Sequence, residues 1–294
     1  MPKSPPPSEH KIVATASTVA SEKKENVAKQ EKGDASAPRY SAPALEKGLD
    51  ILELLTETET GLTLNQIAKK LERSVNEIFR MIVTLEQRGY LIAGDGDRYR
   101  LTLKLFELSH RHLPIKSLVS TALPHMRELA NRTMQSCHLT LYSGGRLIVV
   151  AQVDSPERWA FGLKVGALVG LVDTASGYIL LSFRDDAERG RMLAEHIKIE
   201  GELDVDTAQL LREIQDTKER GFSMMPSKQI RGVTNISYPI FGEGKQSVAA
   251  LNVPFIERID KKVNPSREEV QFIVNEIAGR ISVLMGCGES SFSL

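Results

Sequence analysis

The stretch "SVNEIFRMIVTLEQRGYL", residues 74–91, has the pattern of an amphipathic helix with a start signal and a stop signal. Ser74 followed by Glu77 forms a capping box, and Gly89 is the left-handed residue that often ends a helix. One face is apolar and consists of Val75, Ile78, Ile82 and Leu85. The opposite face is polar and consists of Asn76, Arg80, Thr84 and Gln87. The apolar face predicts packing onto a core. The polar face predicts contact with either water or the base edges of a DNA groove.

Two predicted helices precede this stretch. Residues 44–60 place four leucines at helical spacing as a predicted inner face, namely Leu45, Leu49, Leu52 and Leu55. Residues 63–71 begin with a second capping box, Thr63 with Gln66, and their predicted inner face is Leu64, Ile67, Ala68 and Leu71. Only residues 72 and 73 separate this helix from the next one, so the two helices should meet at a steep angle.

A β-hairpin is predicted directly after the third helix. Residues 90–93 and 98–102 have strand character, and the turn-forming sequence GDGD lies between them. The order helix, helix, tight turn, helix, hairpin predicts a winged helix-turn-helix domain over residues 41–103.

The rest of the chain predicts a linker helix and a second domain. Residues 104–118 are predicted as the linker, interrupted at Pro114, with Leu105, Phe106 and Leu108 buried or forming a domain or dimer contact. Residues 119–294 combine amphipathic helices with two hairpins, residues 137–153 and 235–255, and end in a helix that is capped by Ser266 and Glu269. This pattern predicts an α+β domain with an antiparallel sheet and helices on one of its faces.

Composition limits the possible classes of protein. The length of 294 residues favours two domains. The net charge is zero, so the chain has no overall basic field that would attract nucleic acid. The two cysteines are far apart and form no CxxC pair, so they suggest neither a disulfide framework nor a cysteine zinc site, and a reducing cytoplasm is the default expectation. Neither a membrane span nor a secretory signal is expected. Residues 1–40 are poor in large apolar residues and are predicted to be a disordered tail, either inert or touching DNA phosphates.

Charge and side-chain chemistry favour DNA as the partner of the first domain. Between residues 63 and 105 there are eight basic and five acidic residues, which leaves a local charge of +3. Arginine recognises guanine and asparagine recognises adenine by paired hydrogen bonds. The predicted DNA-contacting residues are Thr63, Arg73, Ser74, Asn76, Glu77, Arg80 and Arg98. The alternative is a three-helix bundle with solvated charges that binds protein, which the carboxylates of the region favour.

The chain resembles the IclR family of bacterial transcriptional regulators. The resemblance runs from residue 44 to the end and rests on the helix-turn-helix stretch together with "LYSGGRLIVVAQV", "VGALVGLVDTASGYILLS", "ERGFSM", "RGVTNISYPIF" and "VAALNV". It implies a GAF-like effector-binding domain after the linker helix. It also implies a homodimer or homotetramer, and a small organic acid or aromatic metabolite that alters operator affinity.

The resemblance also implies an effector pocket. The matching positions are Gly166, Ala167, Thr174, Asn235, Ser237, Ala250 and Asn252. Residues 223–232 lack the acidic stretch found in several members of the family, and Asn235 stands where a cysteine is common. Lys228 or Arg231 either attracts an anionic ligand or lies on the surface.

Two other functions compete with this interpretation: an enzyme with a winged-helix appendage, and a winged-helix protein-interaction scaffold. Cys137 and His138 are adjacent in a predicted strand, so their side chains should face opposite ways and cannot pair as nucleophile and base. The sequence also has no GxSxG, P-loop or HExxH motif in the required context. We therefore expect no catalysis, no cofactor and no metal.

Overall fold

A computed structural model describes residues 41–111, 113–260 and 264–288, and the predicted tail, residues 1–40, lies outside these ranges. The described chain forms two compact units that divide between Phe106 and Glu107, within the predicted linker helix. Throughout these ranges, no helix is both long enough and apolar enough to cross a bilayer.

The first unit contains three helices and a three-stranded antiparallel sheet. Its elements are α1 (Pro43–Thr56), β1 (Leu62–Thr63), α2 (Leu64–Lys70), α3 (Val75–Gln87), β2 (Leu91–Gly94) and β3 (Arg98–Leu101). Strands β2 and β3 form the predicted wing, and β1 pairs with the other edge of β3. Both predicted capping boxes are present, at Thr63 and at Ser74, and Gly89 has the expected positive φ of 75°.

The core of this unit consists of Ile51, Leu55, Ile67, Ala68, Ile78, Ile82 and Leu91. The predicted inner face of α1 was partly wrong. Leu45 and Leu49 are 63% and 48% exposed, whereas Gly48 and Ile51 are buried. The two leucines lie roughly 90° to 130° around the helix from its buried stripe, since successive residues are about 100° apart.

The predicted linker is a helix followed by a second helix, α4 (Lys104–Arg111) and α5 (Leu113–Thr133), with Pro114 in the first turn of α5. The predicted burial of its apolar residues was wrong for the single chain. Leu105, Phe106 and Leu108 are 39%, 60% and 40% exposed. Leu105 and Leu108 lie three residues apart on one side of α4, and the described residues leave this apolar side largely exposed.

The second unit is built on a six-stranded antiparallel sheet in the order β6-β5-β4-β9-β8-β7. Its strands are β4 (Cys137–Ser143), β5 (Arg146–Val153), β6 (Leu168–Val169), β7 (Ser223–Pro226), β8 (Val233–Phe241) and β9 (Ser247–Ile256). Its remaining helices are α6 (Ala175–Ser182), α7 (Asp186–Ala194), α8 (Thr207–Arg220) and α9 (Arg267–Leu284). The two predicted hairpins and the capped final helix are confirmed.

Helices cover both faces of this sheet, and the prediction of helices on one face was wrong. Leu251 and Val253 of β9 pack with α5 and α9. Ala250, which precedes Leu251 and therefore points to the opposite face of the sheet, packs with α6. A strand buried on both sides has a nearly continuous apolar sequence, as "VAALNVPF" does.

Candidate DNA-binding surface and effector pocket

The polar face of α3 is exposed, as its sequence predicts. Asn76 and Arg80 lie one turn apart near the start of the helix, and Arg73 precedes its N-cap; all three are exposed. Thr84 and Gln87 continue the exposed face toward the C-terminal end. The start of the helix therefore combines basic and amide side chains on a surface that faces away from the core.

Glu77 has a structural role within the same unit. Its carboxylate accepts hydrogen bonds from Lys47 Nζ at 2.6 Å and from Ser74 Oγ at 2.8 Å. The hydrogen bond from Lys47, followed by those from Ser74, lowers the pKa of Glu77 from 4.5 to about 2. This carboxylate joins the start of α3 to α1, and Lys47 offsets its negative charge.

Arg98 is also bound within the unit. Its Nη1 donates to the carbonyl oxygen of Gly61 at 3.0 Å and to Gln66 Oε1 at 3.3 Å. Thr63 pairs with Arg98 across β1 and β3 and caps α2. Within the predicted DNA-contacting set, Arg73, Ser74, Asn76 and Arg80 are exposed. Thr63, Ser74, Glu77 and Arg98 also form hydrogen bonds that fix the geometry of the domain.

A small pocket lies between the start of α6 and strands β4, β8 and β9. Its volume is about 70 Å³. Its polar lining includes His138, Asp173, Thr174, Ser176, Lys228, Asn235 and Asn252. Thr174, Asn235 and Asn252 were predicted from the sequence, and the structure brings them together.

The other predicted pocket residues lie next to this cavity or away from it. Ser237 is two residues from Asn235 on the same face of β8, and Ala250 is part of the core beneath α6. Gly166 and Ala167 do not line the cavity; the Gly166 N–H donates to the carbonyl oxygen of Val149, and the Val149 N–H donates to that of Ala167. These two positions hold the segment before β6 against β5.

Four buried polar residues form what we call the polar floor: His138, Thr140, Ser237 and Asn252. The sheet register places His138 opposite Asn252 and Asn252 opposite Ser237. His138 Nδ1, Thr140 Oγ1, Ser237 Oγ and Asn252 Oδ1 have no hydrogen-bond partner among the described residues. A buried polar group without a partner costs about 1–3 kcal/mol, so four together require an explanation.

The polar floor is electrically neutral. Burial lowers the pKa of His138 from 6.5 to about 4, so its imidazole is uncharged at neutral pH. Asn252 Nδ2 donates to Asn235 Oδ1 at 3.2 Å, which leaves the Asn252 carbonyl oxygen available. Sequence reasoning missed His138 as a pocket residue, although strand alternation already placed it on the face opposite Cys137.

The mouth of the pocket favours negative charge. Thr174 caps α6, where its Oγ1 accepts the N–H of Gly177 at 3.1 Å, and helix N-termini attract anions. Lys228 Nζ donates to Tyr178 OH at 2.9 Å and adds a positive charge to the lining. Burial raises the pKa of the Asp173 carboxyl above its usual range, and the charge of Glu202 raises it further.

A buried carboxylate holds the loop that leads into α6. Glu202 Oε1 accepts the N–H groups of Leu171 and Val172 at 2.8 and 3.1 Å, and Asp173 Oδ2 accepts that of Leu203 at 3.0 Å. These bonds tie residues 199–203 to the segment that precedes the cap. These bonds therefore fix the position of the start of α6.

Cys137 lies on the other face of the sheet, as strand alternation predicts. Its thiol packs in the core against α5 and donates to the carbonyl oxygen of Met126 at 3.4 Å. Burial raises the pKa of Cys137 to about 12, so it is not a thiolate at neutral pH. Across the described ranges, no group of three or more His, Cys, Asp or Glu side chains has the arrangement of a metal site.

Comparison with solved structures confirms the fold. An IclR from Thermotoga maritima matches with a TM-score of 0.65 and 23% identity, over 83% of this chain and 99% of that one. An IclR homologue from Microbacterium hydrocarbonoxydans, solved in complex with 4-hydroxybenzoate, matches with a TM-score of 0.69 and 22% identity, over 83% and 100% of the two chains.

Sequence comparison identifies the family. The HTH-type transcriptional regulator KdgR of Escherichia coli (strain K12) is 28% identical over 259 residues, which cover 86% of this chain and 96% of KdgR. The family model for the IclR helix-turn-helix domain matches residues 44–92. The model for the bacterial transcriptional regulator IclR C-terminal domain matches residues 110–283, more than half of the chain. The chain therefore belongs to the IclR family and is a DNA-binding transcriptional regulator with an effector-binding C-terminal domain.

Proposed function

We propose that this regulator reads its operator through Arg73, Asn76 and Arg80, and that a small organic acid bound above the polar floor changes operator affinity. The observation that carries the effector assignment is a group of buried polar atoms without a partner among the described residues: those of His138 and Asn252, which line the pocket with Lys228, and those of Thr140 and Ser237 next to it in the sheet. The acid must bind one conformation of the protein better than another, since equal binding shifts no equilibrium.

The DNA assignment rests on exposure and charge. The N-terminal part of the recognition helix contacts base edges in helix-turn-helix proteins, and here it presents Asn76 and Arg80. Glu77, the carboxylate nearest to them on α3, is paired with Lys47. This pairing removes much of the repulsion toward phosphate that favoured a protein-binding scaffold.

The size and polarity of the pocket favour a small acid over an aromatic one. At about 70 Å³, the pocket is roughly half the volume of an apolar cavity of ~150 Å³ that holds benzene. The carboxylate would lie at the start of α6 near Lys228, and hydroxyl or oxo groups would bond the polar floor. We propose a hydroxy- or oxo-acid with a chain of about three to five carbons.

We further propose that the protein is not an enzyme and acts in the cytoplasm as a homodimer or homotetramer. The relatives are transcriptional regulators, and the protonated Cys137 thiol faces away from His138. Location follows from the proposed partner, chromosomal DNA. Self-association is supported by the exposed apolar residues of α4, Leu105 and Leu108.

Binding to DNA fragments selected from a random duplex pool by the full-length chain tests the DNA assignment. Arg80→Ala should cost about 1–3 kcal/mol and relax specificity at one base pair. Arg88→Ala, at the exposed C-terminal end of α3, is the matched control and should have a smaller effect. Unchanged affinity in both the Arg73→Ala and Arg80→Ala variants would overturn the assignment.

A thermal-shift screen of short hydroxy- and oxo-acids on the full-length chain tests the effector assignment. A ligand of the native state raises the melting temperature by mass action. Asn252→Ala should abolish the shift caused by an acid that stabilises the natural protein. An equal shift in that variant would place the ligand elsewhere.

A further inference from the structure

Helix α3 exposes two large apolar side chains beside the proposed DNA-reading residues. Val75 is 41% exposed and Phe79 is 49% exposed. The core of the unit is formed by other residues of the helix, Ile78 and Ile82, which are fully buried. The exposure of a phenylalanine on the surface of α3 is therefore not explained by packing of the bundle.

The two side chains are continuous with Asn76 and Arg80. At about 100° per residue, Phe79 lies roughly 60° around the helix from Asn76, and Val75 lies roughly 40° beyond Phe79. All four residues belong to the first two turns of the helix. These turns are the part of a recognition helix that approaches the bases.

The major groove offers one apolar group to such a surface, the 5-methyl group of thymine. We propose that Phe79, supported by Val75, determines specificity by contacting thymine methyl groups next to the base pairs read by Asn76 and Arg80. This inference rests on the proposed DNA-binding function. The occupant is DNA and not protein because the exposed basic residues Arg73 and Arg80 lie at the same end of the helix as the apolar pair. Glu77, the acidic residue of these two turns, lies roughly 160° around the helix from Phe79 and is paired with Lys47.

The experiment replaces single thymines of the selected duplex by deoxyuridine, which removes the methyl group and preserves base pairing. We expect the natural protein to lose about fourfold in affinity at one or two positions, equivalent to ~0.8 kcal/mol for one buried methyl group. Phe79→Ala should bind the thymine duplex more weakly and should be insensitive to deoxyuridine at those positions. Phe79→Leu, which keeps an apolar contact, should retain part of the sensitivity.

Phe272→Ala is the matched control because Phe272 is a 68% exposed phenylalanine in the second unit. This variant should keep the full sensitivity to deoxyuridine. Circular dichroism melting verifies that each variant is folded. The readout is thus the coupling between one side chain and one methyl group.

The possible outcomes distinguish this inference from the function on which it rests. If no duplex is enriched, the DNA assignment itself fails. If a duplex is enriched but deoxyuridine weakens Phe79→Ala as much as the natural protein, or weakens neither, the role of Phe79 is overturned. A change of oligomeric mass in Phe79→Ala, with the deoxyuridine effect intact, would show that Phe79 contacts protein.

Discussion

Replacing Ser237 by alanine should leave the unliganded protein as stable as before, or make it more stable, while it weakens effector binding. The Ser237 side chain is fully buried, and its Oγ has no hydrogen-bond partner among the described residues. Such a hydroxyl costs about 1–3 kcal/mol, and alanine removes it with the loss of one oxygen atom. A gain of ~1 kcal/mol corresponds to a rise in melting temperature of roughly 2–4 °C for a unit of this size.

Ser282 is the matched control because it is equally buried but fully bonded. Its Oγ donates to the carbonyl oxygen of Ala278 at 2.8 Å and accepts the N–H of Phe241 at 2.9 Å. Ser282→Ala removes both bonds, including the one that the N–H of Phe241 donates. This variant should lose about 1–3 kcal/mol of stability and should bind effector as the natural protein does.

Urea unfolding of the full-length chain, with and without a stabilising acid, measures both effects for the two variants. Ser237→Ala should show the smaller increase in stability on addition of the acid. The reasoning is refuted if Ser237→Ala loses as much stability as Ser282→Ala and retains the full response to the acid. In that case the Ser237 hydroxyl would be a structural group whose partner lies within the fold.

Three further predictions concern the titration of Glu77, the charge of Lys228 and the apolar face of α4. Because the pKa of Glu77 is depressed from 4.5 to about 2, its contribution to stability is complete above pH 4.5 and is lost as the pH falls to 2. Urea unfolding across this window should show a weaker pH dependence for Glu77→Gln but not for the exposed control Glu86→Gln. Lys228→Gln should weaken binding of an organic acid by about tenfold or more in calorimetry, whereas Lys164→Gln, a change at an exposed lysine, should not. Leu105→Glu should lower the oligomeric mass measured by sedimentation, whereas the control Leu203→Glu should leave it unchanged. An unchanged mass for Leu105→Glu would exclude α4 as the self-association surface.

Signals that act over a few residues could be predicted from the sequence. The capping boxes at Thr63, Ser74 and Ser266 involve a side chain and an N–H three residues apart, so the sequence contains both partners. The turn at Gly144–Gly145 and the left-handed stop at Gly221 are similarly local. The types and boundaries of the helices and strands could therefore largely be predicted from the sequence.

The burial of individual apolar residues was harder to predict from the sequence because it depends on what each helix packs against. Leu49 and Ile51 are equally suitable for a core, yet only Ile51 is buried. The same limit applies to Leu105, whose apolar character indicates a contact without saying which chain supplies it. Helical spacing shows which apolar residues could share one side of the helix, but it does not show which side is turned toward the core.

The site was hardest to predict from the sequence where its contacts join residues that are far apart in the chain. The Lys47–Glu77 pair joins residues 30 apart, and the bond from Arg98 to Gly61 joins residues 37 apart. Both assign structural roles to residues that resemble DNA contacts in the sequence. The polar floor likewise requires the pairing of β4 with β9, which no local signal specifies.

The polar floor also provides a physical source for the response to an effector. His138, Ser237 and Asn252 have buried atoms without a partner among the described residues, and each such atom that stays unpaired raises the free energy of this arrangement. An acid that bonds two of these atoms recovers a large part of that cost only in this arrangement. A ligand with such a differential affinity shifts the population toward the arrangement it satisfies. We infer that the unsatisfied groups set the direction of the response, so a variant that removes them, such as Ser237→Ala, should reduce the effect of the acid on operator affinity more than it changes the affinity measured without acid.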